Sequence, residues 1–324
     1  MVAMLVMEKP SAYKADSVDQ DGLWKKVIGD LFEDFLLFFV PDLYERVDFT
    51  KKPDFLQQEL FQQVVDKKKG RRIADQVVKV HLKDGQEQWI LVHVEVQSSN
   101  EEDFSKRMFQ YFYRIYDRHE KKIVAVAIMT SPEHNIYPNE FSYSYFGTTL
   151  HYAYTTHKIV DYDFEPLRRS ENLFSKIVLA AKYMHATKER DWHRYVFKRK
   201  LMREVVRNRA YSRTAVQAIL HFVDYLLRLP KEYEQKLAET MYPVLGKEKE
   251  LMELYNKDNA SPTISNAFEM ERMEGIKEGE LKGKMEERRN IARKLLEQQL
   301  PIETIIAATE LSVEEVEALR VQFE

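Results

Sequence analysis

The sequence predicts a mixed α/β domain, a sheet flanked by helices, followed by an all-helical C-terminal region. Three observations predict it. Apolar residues recur at helical spacing near the N-terminus, and two alternating stretches flank an Asp84-Gly85 turn. Beyond residue 165 the periodicity is helical almost throughout. The order is helix, helix, strand, strand, helix, strand, then helices. The expected divisions are a flexible tail (1–20), an α/β domain (21–165), a basic helical region (166–258) and an acidic helical tail (259–324) suited to oligomerisation or protein binding.

Between Leu23 and Val47, Trp24, Val27, Ile28, Leu31, Phe32, Phe35 and Leu36 follow helical spacing, and Pro41 is expected to break the run. Asp54 follows Pro53 as an N-cap candidate for a short helix to about Val65, which would carry Glu59. After the basic stretch from Lys67 to Arg72, one strand runs from Ile73 to Leu82 and another from Gln88 to Gln97. Ser98, Ser99 and Asn100 can cap an amphipathic helix from Glu101 to Glu120, with Phe104, Met108, Phe112 and Ile115 as its stripe. Ile123 to Met129 is a buried-strand run, and Phe141 to Tyr154 reads as irregular structure with an edge strand continuing to about Tyr162. Helices are expected from Asn172 to Arg228, and again after a loop near Asn256 to Ser265.

Composition narrows the classes of function. At 324 residues and 44% hydrophobic content the chain can bury a sizeable core. Its richest apolar stretch, Leu31 to Val40, is interrupted by Glu33 and Asp34, so no membrane span is expected. The N-terminus lacks the pattern of a signal peptide. With no cysteine, thiolate zinc sites, disulfides and cysteine nucleophiles are excluded, and a cytoplasmic home is expected. The net charge of -3 hides an asymmetry. Glu165 to Arg213 holds fourteen Lys/Arg against five Asp/Glu, whereas Lys231 to Glu324 holds fourteen against twenty-one.

The hairpin concentrates the chemistry. If the even-numbered residues Val78, Val80, Leu82, Ile90, Val92, Val94 and Val96 form one dry face, a two-residue turn is excluded. A three-residue loop, Asp84 to Gln86, would pair Lys83 with Glu87 and Asp75 with Glu95, with Gln97 two residues further along the less apolar face. Like charges directly opposed destabilise a sheet, and a cation resolves the conflict. Hard oxygen ligands suit Mg²⁺, with Mn²⁺ as a substitute, and the Val96 carbonyl could complete the set. Such a cation would activate water for phosphodiester hydrolysis. Gln97 could orient water or a phosphate oxygen.

The segments RRIADQVVKV (71–80), WILVHVEVQSS (89–99) and FSKRMFQYFYRIYDR (104–118) resemble the recombination-promoting nuclease (Rpn)/putative transposase family of the PD-(D/E)xK superfamily. The similarity covers roughly Asp21 to Tyr162. It implies a restriction-endonuclease-like core and a metal-dependent DNA endonuclease acting in recombination, mobile-element biology or phage defence. Carried over by position, the family's acid falls on Asp75, its Glu-x-Gln on Glu95 and Gln97, and its helix glutamate on Glu59. Ala74 replaces the superfamily's proline, and Gln97 its lysine, as is typical of the Rpn family. The alternative is a catalytically degenerate nucleic-acid-binding or assembly protein on the same fold. A strand-transferring transposase is the third reading.

Other features carry two readings each. Arg107, Tyr111, Arg114 and Arg118, with Lys79, could contact DNA phosphates or form solvated salt bridges. Lys198, Arg199, Lys200, Arg203, Arg207, Arg209 and Arg213 could track a nucleic-acid backbone or simply face solvent. His93 precedes Glu95 as in zinc deaminases, but the cysteines of such a site are missing. Gly275, Gly279 and Gly283 recur every four residues and invite contact with a second copy's helix, giving a homo-oligomer. Pro301 to Arg320 is similar to a helix-turn-helix, with Ser312 and Glu315 as a capping box, but its second helix is acidic.

Overall fold

The computed structural model describes residues 19–56, 74–95, 101–132, 139–256 and 258–321. The chain forms two compact units, the first ending at Thr263 and the second beginning at Ile264.

The first unit opens with α1 (Gln20–Asp30), α2 (Phe32–Phe39) and α3 (Pro41–Tyr44). Asp19 caps α1 by accepting from the Gly22 amide at 3.1 Å. Pro41 does end the preceding run, and it starts α3 at a first-turn position, where its missing N–H costs nothing. Trp24, Phe35 and Leu36 are fully buried, each contributing about 1.5–3 kcal/mol of transfer free energy.

The sheet contains β1 (Asp54–Leu56), β2 (Ala74–His81), β3 (Glu87–Glu95), β4 (Ile123–Met129) and β7 (Thr155–Lys158) in the order β1-β2-β3-β4-β7. The first three are mutually antiparallel; β3, β4 and β7 run parallel. Parallel neighbours need a crossover, which α4 (Glu101–His119) supplies between β3 and β4.

Three expectations are corrected. Asp54 does not start a helix: Asp54–Leu56 pairs with Lys79–Val77 as an edge strand. The β2–β3 loop has three residues as expected, but they are Lys83 to Gly85. Leu82 donates to the Gln86 carbonyl at 2.8 Å, and Gly85 takes the left-handed φ of +84° that closes such a loop. Every pair therefore shifts by one residue on each strand, so that Asp75 stands opposite His93, not Glu95. Nor is the odd face poorly apolar. Val77, Leu91 and His93 are each at most 1% exposed.

Both faces are dry because each has its own cover. Phe104, Met108, Tyr111 and Ile115 of α4 pack on the odd face with Val77, Trp89 and Leu91. The even face meets α1 and α2: Gln76 donates to the Lys25 carbonyl at 2.9 Å, and Phe55 lies 5.3 Å from Phe32. Behind those helices lie α6 (Leu173–Ala186) and α8 (Arg213–Leu226), with Phe174 and Phe222 against Trp24. The aromatic stretch after β4 is more regular than expected. It makes a two-stranded hairpin, β5 (Glu140–Tyr145) and β6 (Thr148–Ala153), before β7. A 3-10 turn (Ile159–Asp161) and α5 (Phe164–Arg169) lead into α6. The bundle is completed by α7 (Asp191–Arg207), α9 (Lys231–Leu245) and α10 (Lys249–Met252).

In the second unit the long helix α11 (Pro262–Glu297) is followed by α12 (Ile302–Thr309) and α13 (Val313–Arg320). Ala292, Ile305, Leu311, Val316 and Leu319 form its small core. The expected capping box is present: the Glu315 amide donates to Ser312 Oγ at 3.2 Å, and the Ser312 amide to Glu315 Oε2 at 3.0 Å. Among the described residues no helix is long and apolar enough to cross a membrane.

Candidate active site

Asp75 is the second residue of β2 and Glu95 the last of β3, so both stand at the same end of the hairpin. Alternation puts both positions on the odd face. With Asp75 opposite His93, Glu95 lies two residues further along its strand, making the two diagonal neighbours. Such positions are about 7–8 Å apart, a separation that two carboxylate side chains can bridge by sharing a hard cation, with less repulsion than in direct opposition. Glu59, Val96 and Gln97 lie outside the described residues. Among the described residues no three His, Asp or Glu side chains cluster as a metal centre.

His93 sits between α4 and the sheet, 1% exposed, its ring 5.2 Å from Phe104 and 6.0 Å from Tyr111. Trp89, near the other end of β3, meets His119 at 4.4 Å. These two contacts fix α4 antiparallel to β3. Its N-terminal turns, and Arg107 with them, lie at the Asp75/Glu95 end. Arg107 is half-buried over the Phe104 ring at 5.8 Å. Arg114 and Arg118 are exposed but stand two and three turns further away.

Two of the proposed DNA contacts need correction. Tyr111 is only 5% exposed and belongs to the apolar core, because its position on α4 faces the sheet. Lys79 is four residues from Asp75, about 13 Å along the strand, and is paired with Asp54 at 3.5 Å and Glu87 at 3.9 Å.

Sequence reasoning missed Lys158. Glu95 pairs with Met129 and Met129 with Lys158, so the three stand in one row across the parallel strands. Partners in a parallel ladder share a face, and Met129 is in the core under α4. Position 158 therefore lies on the Glu95 face. The only advance signal was a lysine ending an apolar-polar run; the row needs the strand order. His157 points to the other face, 4.8 Å from Phe39 and 2.8 Å from the Tyr162 hydroxyl, and burial holds its imidazole below the ordinary range.

The basic helical segment is largely structural. Lys198 is fully buried, its ammonium 2.7 Å from Asp224 Oδ1 and 3.1 Å from Glu234 Oε1. Burial raises the Asp224 carboxyl, but Lys198 and the hydrogen bonds it receives outweigh this and leave it below the usual range. For Glu234 burial wins, and its carboxyl is pushed up. The Thr263 amide and hydroxyl also donate to Asp224, at 2.8 and 2.6 Å. Arg209 and Arg213 both donate to Glu248, at 2.8 and 3.4 Å. Lys200 and Arg207 remain exposed.

Residues 21–132 match the family described as "Putative transposase, YhgA-like". The match runs from α1 to just past β4, and so includes the hairpin and helix that carry positions 75 and 95. No curated protein and no solved structure matches the chain.

Proposed function

On the premise that residues 21–132 are a YhgA-like transposase-family domain, we propose that the chain is a Mg²⁺-dependent endonuclease that hydrolyses phosphodiester bonds in DNA. The observation that carries this reading is the diagonal placement of Asp75 and Glu95 on one face, at one end of a rigid hairpin. Those carboxylates fit a hard cation, with the Val96 carbonyl as a third donor and Glu59 supporting the set. When bound, the cation would polarise the phosphate and acidify a water.

The chain's own residues do the rest. Gln97 aligns the water or a phosphate oxygen through its amide. It brings no positive charge and is no base. We assign that charge to Lys158, two interstrand spacings, or about 10 Å, from Glu95 in the same row. Its four-carbon stem can cover much of that distance, placing the ammonium toward a phosphate held beside Glu95. Arg107, at the same end of α4, is the second phosphate contact. Self-association, in this reading, uses α11, where a Cβ built on Gly275, Gly279 or Gly283 would meet nothing within 4 Å and Met273, Ile276 and Leu281 are exposed.

Supercoiled plasmid incubated with the full chain tests the reading. Nicked and linear products are expected with Mg²⁺ or Mn²⁺, and none once EDTA is added. DNA binding without cleavage under any divalent cation would replace the enzyme with a binding or assembly protein. Lys158→Met is expected to slow cleavage about 10²-fold, as loss of one oriented transition-state contact does, with Lys158→Arg retaining most of the rate. Equal rates in Lys158→Met and native protein would remove Lys158 from the site.

A further inference from the structure

The β5–β6 hairpin is not part of the main sheet. Its register pairs Phe141 with Tyr152, Tyr143 with Leu150 and Tyr145 with Thr148, which puts five aromatic or aliphatic side chains on one face. The base of that face is anchored on α4: Phe141 stacks on Phe109 at 5.1 Å, and Tyr152 lies 4.7 Å from Phe112. Toward the tip the cover runs out. Exposure climbs from 8% at Tyr152 to 47% at Tyr143, 61% at Tyr145 and 91% at Phe146.

The turn itself is unusual. Phe146 and Gly147 occupy its two central positions, with φ of +42° and +85°. Asparagine, aspartate or glycine normally fills the first position of such a turn, because bulky side chains are strained at positive φ. Here the chain accepts that strain to hold an apolar ring in water. Strain of this kind points to a function at the tip.

Charge selects the partner. Residues 141–160 contain no Asp or Glu, although the whole chain has 53. Beneath the hairpin, between Phe104 and His119, α4 exposes Lys106, Arg114 and Arg118 against one acid, Asp117. The three acids Glu101, Glu102 and Asp103 are confined to the helix start, at the Glu95 end. Aromatic faces without carboxylates, bordered by cations, suit a polyanion that carries π-faces. We propose that Tyr143, Tyr145 and Phe146 form a stacking wedge for nucleobases of DNA, with Phe146 engaging an unstacked base at a distorted or single-stranded position. This rests on the DNA reading above and adds to it a preference for unpaired bases.

Fluorescence anisotropy of a labelled 20-nucleotide single strand and the matching duplex, with Ca²⁺ in place of Mg²⁺, measures binding apart from cleavage. Phe146→Asn is expected to weaken single-strand binding roughly tenfold, as loss of one base stack does, and duplex binding less. Because asparagine suits the turn, the same variant is expected to melt at or above the native temperature, which separates lost contact from lost fold. Phe146→Tyr should bind as the native chain does. Unchanged single-strand affinity in Phe146→Asn overturns the wedge, and plasmid cleavage by the native chain would still uphold the endonuclease. A native chain that neither binds nor cleaves DNA overturns both. A native oligomer that dissociates in Phe146→Asn with DNA affinity intact overturns the wedge in favour of contact with a second copy.

Discussion

Asp75→Asn and Glu95→Gln are each expected to lower plasmid cleavage about 10³-fold or more. Charge stabilisation of several kcal/mol is lost when a hard cation loses a carboxylate ligand, and each 1.36 kcal/mol is a factor of ten. Calorimetric titration with Mn²⁺ should show weakened binding in both variants. Folding should survive, because neither change removes core volume and either one relieves repulsion between diagonal carboxylates. In the absence of divalent cation, both variants should melt at or slightly above the native temperature. Undiminished cleavage in either would remove that residue from the metal site. Loss of cleavage with unchanged Mn²⁺ affinity would give it another role.

Lys198→Met is expected to produce the largest loss of stability. It strands two carboxylates, Asp224 and Glu234, in a site where Lys198 is fully buried. Breaking one partner of a buried ion pair costs about 3–5 kcal/mol. For a unit of this size that is roughly 8–15 °C in Tm. Acid should restore part of it. Without the ammonium, burial raises both carboxyls above their unfolded values, so the folded state holds more protons than the unfolded one. Stability of the variant then rises as pH falls from 7 toward 5. In the native protein the ammonium keeps Asp224 low, so the Tm difference between native and variant should narrow over that range. Calorimetric scans at pH 7 and 5.5 check both the size and the sign; an equal gap at the two pH values would mean the carboxylates are not what the lysine neutralises. DNA affinity of the folded variant should be unchanged, since Lys198 does not reach the surface.

The fate of Lys198 shows where periodicity and charge counts stop being informative. Seven cations within Lys198 to Arg213 read alike in the sequence, yet one is at the centre of the bundle and two share Glu248. Which cation is buried depends on carboxylates far away in sequence, at positions 224, 234 and 248, and no local pattern encodes them. Tyr111 fails for a related reason. Its spacing from Arg107 and Arg114 suggested one polar face, but α4 is covered on two sides, by the sheet and by the β5–β6 hairpin. A tyrosine bordering the stripe was drawn into the core.

Local chemistry was far more readable. The Ile123–Met129 strand, the start of α4 at Glu101 and the Ser312/Glu315 capping box follow from apolar runs and capping side chains a few residues apart. The hairpin was legible except for its register. Parity excluded a two-residue turn, but two three-residue loops satisfy parity equally. Only the left-handed glycine at position 85 chooses between them.

Sequence by itself therefore determined the element order of the hairpin and its helix, the face on which Asp75 and Glu95 stand, and the absence of any thiol chemistry. These depend on side-chain alternation and residue type, which are local. Tertiary structure alone decided that the carboxylate positions are diagonal and not opposed. It also decided that Lys158 stands in the row of Glu95, that the basic helix turns its lysine inward, and that an aromatic hairpin runs out from the core to an uncovered tip. Each of these is set by which strand or helix lies next to which, a long-range choice made by burying the largest apolar area at once.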